Sequence, residues 1–193
     1  VAMKVYTLLD TTMLGIMCRE EVVAYYTYVT HIVRIVIIVI AALGSVLLPR
    51  LSYYFEHNML AEGTKVINNV FYAILSLLLP CGIGMFVLAD SLILVLFGNA
   101  YLPAVLTLRI GTLLTITLGF SDLFGTQALV AFGEEKKRLK ATMIGLTTNV
   151  VLNLILIPIF AQNGAAVASV ISEGVVTIIV YMYVRKHIKL QYR

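Results

Sequence analysis

Five ionisable side chains interrupt the long apolar stretches of this sequence, and they are the groups with which it could do chemistry. They are Lys4, Asp10, Arg34, Asp122 and Glu173. An ionised group costs free energy in an apolar environment unless it is paired or faces a water-filled cavity. The two cations can bind an anion, whereas the three carboxyl groups can bind a cation or carry a proton. These residues are therefore the first candidates for a functional site.

The composition places these residues at membrane depth. Among 193 residues, 61% are hydrophobic and 12% are charged, and the mean hydropathy is +0.98. A soluble domain carries about 25% charged residues, so a soluble globular protein is excluded. One crossing of about 30 Å needs about 20 helical residues. Length and apolar content together predict an all-α membrane protein with about six crossings.

Apolar stretches predict six helices, at about residues 1–17, 26–48, 66–88, 104–132, 141–160 and 165–184. The first stretch is too short to cross and shows neither an initiator Met nor a cleavage site, which indicates a fragment that begins inside a helix. We expect Pro49 to end the second helix, because its ring disfavours helix in the preceding residue. Residues 90–103 are too short to cross, so an interfacial or re-entrant segment is expected there.

Basic residues are unevenly distributed between the two ends of these helices. Ten Lys and Arg residues lie in the connections and tail at one end, and two lie at the other. Because basic loops face the cytoplasm, we expect the ten, and the C-terminal tail, on the cytoplasmic side. The net charge of +4 thus belongs to short tracts beside the membrane, and no nucleic-acid partner is expected. Tyr25, Tyr26 and Tyr28 are expected to form an aromatic belt at the outer interface.

Equal depth in neighbouring helices suggests which polar side chains meet. Asp10 lies about 10 residues before Glu20 and Arg34 about 14 after it, so at about 1.5 Å per residue we expect a pair at similar depth. Such a pair is either a buried bridge between two helices or part of a polar cavity that binds an anion. Both interpretations remain open at this point.

A second set of polar residues lies in the last two predicted helices. Asn149 and Asn153 are four residues apart and share one helix face, where they either line a cavity or hydrogen bond between helices. Glu173 is expected at the depth of Asn149. It is either a proton carrier or the charge partner of Lys4 or Arg34.

Motifs of soluble enzymes are not found in the sequence. It contains no metal-spaced His pair, no phosphate-binding loop and no serine elbow, and Cys18 and Cys81 lack the spacing of a metal or redox site. We therefore expect no enzyme, no metal and no bound cofactor. Asp122 lies in the cytoplasmic half of the fourth helix, where Gln127 and nearby hydroxyl groups can satisfy it.

Several short segments, taken in order, resemble those of a known transporter family. They are residues 9–15 (LDTTMLG), 23–26 (VAYY), 42–52 (ALGSVLLPRLS), 125–127 (GTQ), 133–137 (GEEKK), 153–158 (NLILIP) and 164–166 (GAA). Their order and spacing resemble the oligosaccharide flippases of the polysaccharide transport family, which move O-antigen and capsule units. These proteins belong with the multidrug and toxin extrusion (MATE) transporters in one superfamily.

The resemblance implies a fold and a set of partners. The chain is then the second six-helix lobe of a MATE-like transporter, residues 1–193, and a missing N-terminal lobe supplies the other half of the cavity. The two lobes rock to give alternating access. The protein is then expected in the bacterial cytoplasmic membrane, with a lipid-linked oligosaccharide as cargo and glycan polymerase machinery as a further partner.

The resemblance also implies roles for the polar residues. A cationic cavity, with Arg34 and Lys4, would neutralise the diphosphate of a polyprenyl-linked glycan, and Asn149 and Asn153 would offer hydrogen bonds to sugar. Asp10, Asp122 and Glu173 are then candidates for charge balance or for coupling to H⁺ or Na⁺. The alternative is a proton- or sodium-coupled efflux antiporter for cationic compounds, which would use these three carboxyl groups. A scaffold that does not transport is a third, less favoured hypothesis.

Overall fold

The fold is that of a computed structural model, which describes the backbone of residues 2–188 and, except at positions 2–6, 43 and 45, their side chains. Every regular element in this part of the chain is helical, which confirms the all-α prediction. The elements are α1 (Ala2–Met17), α2 (Glu20–Glu56), α3 (Leu60–Val87), α4 (Ala89–Phe97), α5 (Val105–Ser121) and α6 (Glu135–Arg185). A short 3₁₀ helix, Asn99–Ala104, precedes α5, and a π-helix, Asp122–Leu129, follows it.

Helix α6 turns back on itself at Ala161, whose backbone has φ 47° and ψ −127°. The amide of Asn149 contacts the hydroxyl of Ser169 at 3.4 Å, although 20 residues of straight helix would separate them by about 30 Å. Gly164 packs so closely on the preceding arm that a Cβ there would lie 2.3 Å from the carbonyl oxygen of Leu156. The two arms, residues 135–160 and 162–185, therefore lie side by side and correspond to the fifth and sixth predicted helices.

Four helical stretches are long and apolar enough to cross a membrane. They are Glu20–Ala42, Leu60–Val87, Asn99–Leu129 and Glu135–Arg185, of which the last folds into the two arms. Large apolar side chains on these helices, such as Ile35, Ile83 and Ile178, are exposed. An exposed apolar surface of this kind suits contact with lipid. The chain is thus a multi-pass membrane protein.

Helix α2 continues through Pro49 to Glu56, so the prediction that Pro49 ends the helix is wrong. Leu47 and Leu51, on either side of the proline, are buried in the main apolar cluster and hold the helix in place. Pro49 itself is exposed. Long membrane helices tolerate proline when packing against neighbours stabilises the surrounding turns. Packing here has outweighed a local propensity.

Two of the apolar clusters in the described part of the chain hold together the helices that carry the polar residues. The larger joins α2, α3, the π-helix and the second arm of α6, with Ile40, Ile74 and Leu129 among its buried members. The smaller joins α1, α2 and both arms of α6 around Leu14 and Ala165. Small residues such as alanine allow helices in a membrane to approach closely. This close approach brings polar side chains from three helices together.

Candidate functional site

Asp10 is the centre of a buried hydrogen-bonded cluster between α1, α2 and α6. Its side chain is fully buried. The hydroxyl of Ser169 donates to Oδ2 at 2.6 Å, and the hydroxyl of Tyr26 donates to the same oxygen. The amide of Asn153 donates to Oδ1 at 2.6 Å. The cluster thus ties the first helix to the second and to both arms of α6.

Asn149 and Asn153 extend this network along the first arm of α6. Nδ2 of Asn153 also donates to Oδ1 of Asn149 at 3.2 Å, and Nδ2 of Asn149 lies 3.4 Å from the hydroxyl of Ser169. Both asparagines are fully buried. The structure thus shows the hydrogen-bonding alternative for these residues, while their contact with sugar stays a prediction. Within the described residues, Oδ1 of Asn153 receives no donor and is a buried acceptor beside Asp10.

A small cavity of about 10 Å³ lies beside the Asp10 cluster. Its lining comes from α1, α2, α5 and α6: Thr7, Asp10, Tyr26, Thr30, Leu114, Leu118 and Ser169. A cavity of this size holds about one water molecule. Hard cations prefer carboxylate, amide and hydroxyl oxygens, which are the polar groups gathered here. Among residues 2–188, no group of three His, Cys, Asp or Glu side chains could hold a metal ion.

The expected ion pair between Asp10 and Arg34 is not formed, and this prediction is wrong. Depth should be counted from the turn between α1 and α2 at positions 18–19, which places Tyr26 rather than Arg34 opposite Asp10. Because Tyr26, Thr30 and Arg34 follow at four-residue intervals, they share one face of α2. Arg34 therefore lies about 12 Å along the helix from Tyr26.

Arg34 is half-buried and makes no hydrogen bond or ion pair with another residue that the structure describes. An unpaired guanidinium at membrane depth is costly, and it suits a site that receives an anion. Lys4, the other predicted cation, has a side chain outside the described part of the chain. The two predicted phosphate ligands are thus not shown together.

Glu173 lies near the middle of the second arm of α6, one helical turn after Ser169, and makes no hydrogen bond to the Asp10 cluster. It is 1% exposed, and neither carboxylate oxygen is hydrogen bonded within residues 2–188. Glu173 forms no ion pair with Arg34 or with another residue that the structure describes. The expected pair with Arg34 is therefore not formed, and the side chain of Lys4, the other expected partner, lies outside the described part of the chain.

Asp122 begins the π-helix that follows α5. Nε2 of Gln127 donates to Oδ2 of Asp122 at 3.2 Å. This is the hydrogen bond between the two side chains that the sequence suggested. Gly44 of α2 faces this pair, and a Cβ there would lie 2.2 Å from Nε2 of Gln127. π-Helical turns are rare in proteins, and those that occur are often found at functional sites. Asp122 is thus held by its own helix and does not join Asp10.

Two residues of the Asp10 cluster were missed by the sequence analysis. Tyr26 was expected in an outer aromatic belt, but it is 2% exposed and its hydroxyl faces Asp10. Its distance from the turn between α1 and α2 was the signal that could have found it. Ser169 carried no local signal, because its contact with Asp10 depends on how the second arm of α6 packs against α1.

A buried network of ionisable and amide groups between the helices of a membrane protein is typical of transporters. The chain matches the family model described as lipid II flippase MurJ over residues 1–192, and it belongs to that family. This confirms the expected membership of the flippase superfamily.

Relatives of known description also resemble the chain. It is 26% identical to a probable low-salt glycan biosynthesis flippase, Agl15, of Haloferax volcanii, over 97% of the chain and 40% of the relative. It is 29% identical to a probable lipid II flippase MurJ of Rhizobium tropici, over 76% of the chain and 29% of the relative. A probable flippase of Haloferax volcanii, AglR, is 25% identical over 86% of the chain. The chain thus spans at most two fifths of the length of these relatives.

Proposed function

We propose that the chain is one lobe of a flippase that moves polyprenyl-diphosphate-linked oligosaccharide units across the bacterial cytoplasmic membrane for cell-surface polysaccharide biosynthesis. The observation that carries this proposal is the family match over residues 1–192. The alternative, a proton- or sodium-coupled efflux antiporter, is not favoured, because three of the similar proteins are described as flippases. Such a protein transports its cargo and forms no covalent bond with it.

The unpaired cation Arg34 supports a diphosphate cargo. A charged head group cannot cross about 30 Å of hydrocarbon unaided, so the protein must offer it a polar route. Guanidinium groups bind phosphate through two parallel hydrogen bonds. Since Arg34 has no partner among the described residues, it is available to such a ligand. We assign it to the diphosphate, with Lys4 as a second cation.

The Asp10 cluster supports coupling to H⁺ or Na⁺. One carboxylate surrounded by neutral oxygens balances one monovalent cation, and the adjoining cavity of about 10 Å³ gives it space. Because Asp10 joins helices α1, α2 and α6, binding there changes how these helices pack together. Asn149 and Asn153 are fully buried in this cluster, so we assign them to the ion rather than to sugar. Asp122 and Glu173 then contribute to charge balance.

The remaining partners follow from the proposed function. A lobe preceding this one would complete the cavity, and rocking of the two lobes would expose it alternately to each side. The basic connections and tail would face the cytoplasm, where the cargo is made. Glycan polymerase machinery would consume the cargo on the other side.

A reconstitution experiment tests this function. The full-length protein is placed in liposomes with a fluorescent polyprenyl-diphosphate oligosaccharide, and protection of the glycan from an external cleaving enzyme is followed with time. We expect time-dependent translocation that Arg34→Ala abolishes. The matched control is Arg109→Ala, because Arg109 is already paired with Asp90 at 2.6 Å. Absence of glycan movement, with cation-coupled dye transport in the same vesicles, would instead support the efflux antiporter.

A further inference from the structure

A polar edge runs along the part of α2 that is long and apolar enough to cross the membrane. Its members are Thr27, His31 and Arg34, which follow at intervals of four and three residues and so lie on one side of the helix. The candidate span covers Glu20–Ala42, so His31 lies near its middle. An imidazole is thus placed at membrane depth, one helical turn before Arg34.

The surroundings of His31 do not give it a structural role. Its side chain is exposed, and it forms no hydrogen bond or ion pair with another residue that the structure describes. A histidine that filled a core would be buried, and one that joined two helices would be bonded to the second. Because polar groups at membrane depth normally face a bundle interior or a water-filled cavity, these observations favour a position at a polar cavity.

His31 and Arg34 together offer hydrogen-bond donors to two neighbouring anionic groups. Side chains three residues apart on a helix have Cβ atoms about 5–6 Å apart. A guanidinium binds one phosphoryl group through two parallel hydrogen bonds. An imidazole carries at least one N–H in either protonation state, so it can donate to a second phosphoryl group. The hydroxyl of Thr27 is not available in the same way, because it donates to the carbonyl oxygen of Val23 at 2.8 Å.

We propose that His31 is a specificity-determining residue, which donates an N–H to one phosphoryl group of the cargo while Arg34 binds the other. This inference rests on the proposed function, in which Arg34 binds the head group of a polyprenyl-linked glycan. A lipid with two phosphoryl groups then uses both side chains, whereas a lipid with one is bound by Arg34 alone. His31 therefore makes the protein prefer a diphosphate carrier to a monophosphate carrier.

Binding of two fluorescent lipids to the full-length protein in detergent tests this inference. One lipid carries an oligosaccharide on polyprenyl diphosphate, and the other carries the same oligosaccharide on polyprenyl monophosphate. His31→Ala should weaken binding of the diphosphate lipid by about tenfold, as expected for a lost hydrogen bond to a charged group. Binding of the monophosphate lipid should change by less than about twofold, because Arg34 still holds its single phosphoryl group. Arg34→Ala should weaken binding of both lipids.

Two further variants separate hydrogen bonding by His31 from a general effect of substitution in α2. His31→Gln keeps an N–H donor at the same position, so it should recover part of the preference for the diphosphate lipid. The matched control is His57→Ala, at the C-terminal end of the same helix. Nδ1 of His57 lies 2.8 Å from the carbonyl oxygen of Tyr53 within its own helix, outside the proposed site. This control should bind both lipids as the wild type does.

Two results would overturn the inference and leave the proposed function standing. One is a His31→Ala protein that binds both lipids like the wild type while Arg34→Ala weakens both. The other is an equal loss of both lipids in His31→Ala, since the number of phosphoryl groups would then not matter. A wild type that binds neither lipid contradicts the proposed function, and this inference with it. If His31→Ala does not fold, His31→Leu, which also lacks a donor, takes its place and the same outcomes decide.

Discussion

Ser169 and Asp10 are 159 positions apart in the chain, and the hydroxyl of Ser169 donates to Oδ2 of Asp10 at 2.6 Å. This bond joins α1 to the second arm of α6. Tyr26 and Asn153 bind the same carboxylate from α2 and from the first arm of α6. A single carboxyl group thus links α1, α2 and both arms of α6. A change in the protonation or ligation of Asp10 therefore changes the hydrogen bonds that hold each of these helices.

Replacement of Asp10 by asparagine removes the charge while keeping the size of the side chain. If Asp10 binds the coupling ion, glycan translocation should fall by about tenfold and lose its response to an ion gradient. The measurement compares liposomes with an imposed Na⁺ gradient and liposomes with an imposed pH gradient. A response of the wild type to only one gradient identifies the coupled ion.

The control for this variant is Asp90→Asn. Asp90 is an exposed carboxylate, and the side chain of its partner Arg109 is 38% exposed. Surface ion pairs contribute little to stability, so translocation and its gradient dependence should remain as in the wild type. If Asp10→Asn also retains both, the carboxylate only joins helices and the coupling proposal fails.

Asp122 offers a second test of which carboxyl group couples transport. It accepts a hydrogen bond from Gln127 within its own π-helix and is separate from the Asp10 cluster. We therefore expect Asp122→Asn to retain the gradient dependence and to reduce translocation by less than Asp10→Asn does. The same two gradients are imposed on liposomes containing each variant. Loss of gradient dependence in Asp122→Asn alone would transfer the coupling role to the π-helix.

The helices of this chain could be predicted because their signal is local. Long apolar stretches required helices, and four stretches of the structure are long and apolar enough to span a membrane. The end of α2 was not predictable in this way. Pro49 indicates the end of a helix, but α2 continues through it because Leu47 and Leu51 are buried in the main apolar cluster. Boundaries depended on packing with residues distant in sequence.

The candidate residues could be named more readily than their contacts. Asp10, Asn149 and Asn153 were selected because polar groups are rare in apolar helices, and the structure brings them into one cluster. The pair of Asp10 with Arg34 failed, because a small error in the position of a turn shifts every facing residue. The turn after residue 160 was predicted, but which residue of the last helix would then face Asp10 depends on how the second arm of α6 packs against α1.

Gly164 is expected to be essential for the hairpin of α6. A Cβ at this position would lie 2.3 Å from the carbonyl oxygen of Leu156, and backbone cannot move aside as a flexible side chain can. Gly164→Ala should therefore destabilise the full-length protein by about 1–3 kcal/mol, as overpacking does. The arms would separate and weaken the bond between Ser169 and Asp10. Thermal unfolding in detergent measures this effect.

The matched control for that substitution is Gly84→Ala in α3. A Cβ at Gly84 would meet nothing within 4 Å. Alanine favours helix over glycine by about 0.5–1 kcal/mol, so this variant should be as stable as the wild type or slightly more so. Equal effects of the two substitutions would show that the close contact of the α6 arms is not what requires glycine.

Glu134, in the connection before α6, should make the protein sensitive to acid. Partial burial alone would raise the pKa of Glu134, but Lys137 and His187, the latter at 3.1 Å, outweigh it and lower the pKa below its ordinary value of 4.5. A carboxyl group whose pKa is lower in the folded state stabilises the fold above its unfolded pKa. That stability is lost as the pH falls below about 4.5 and through the folded value. The melting temperature of Glu134→Gln should therefore vary less with pH in this range than that of the wild type, whereas the exposed control Glu135→Gln should follow the wild type.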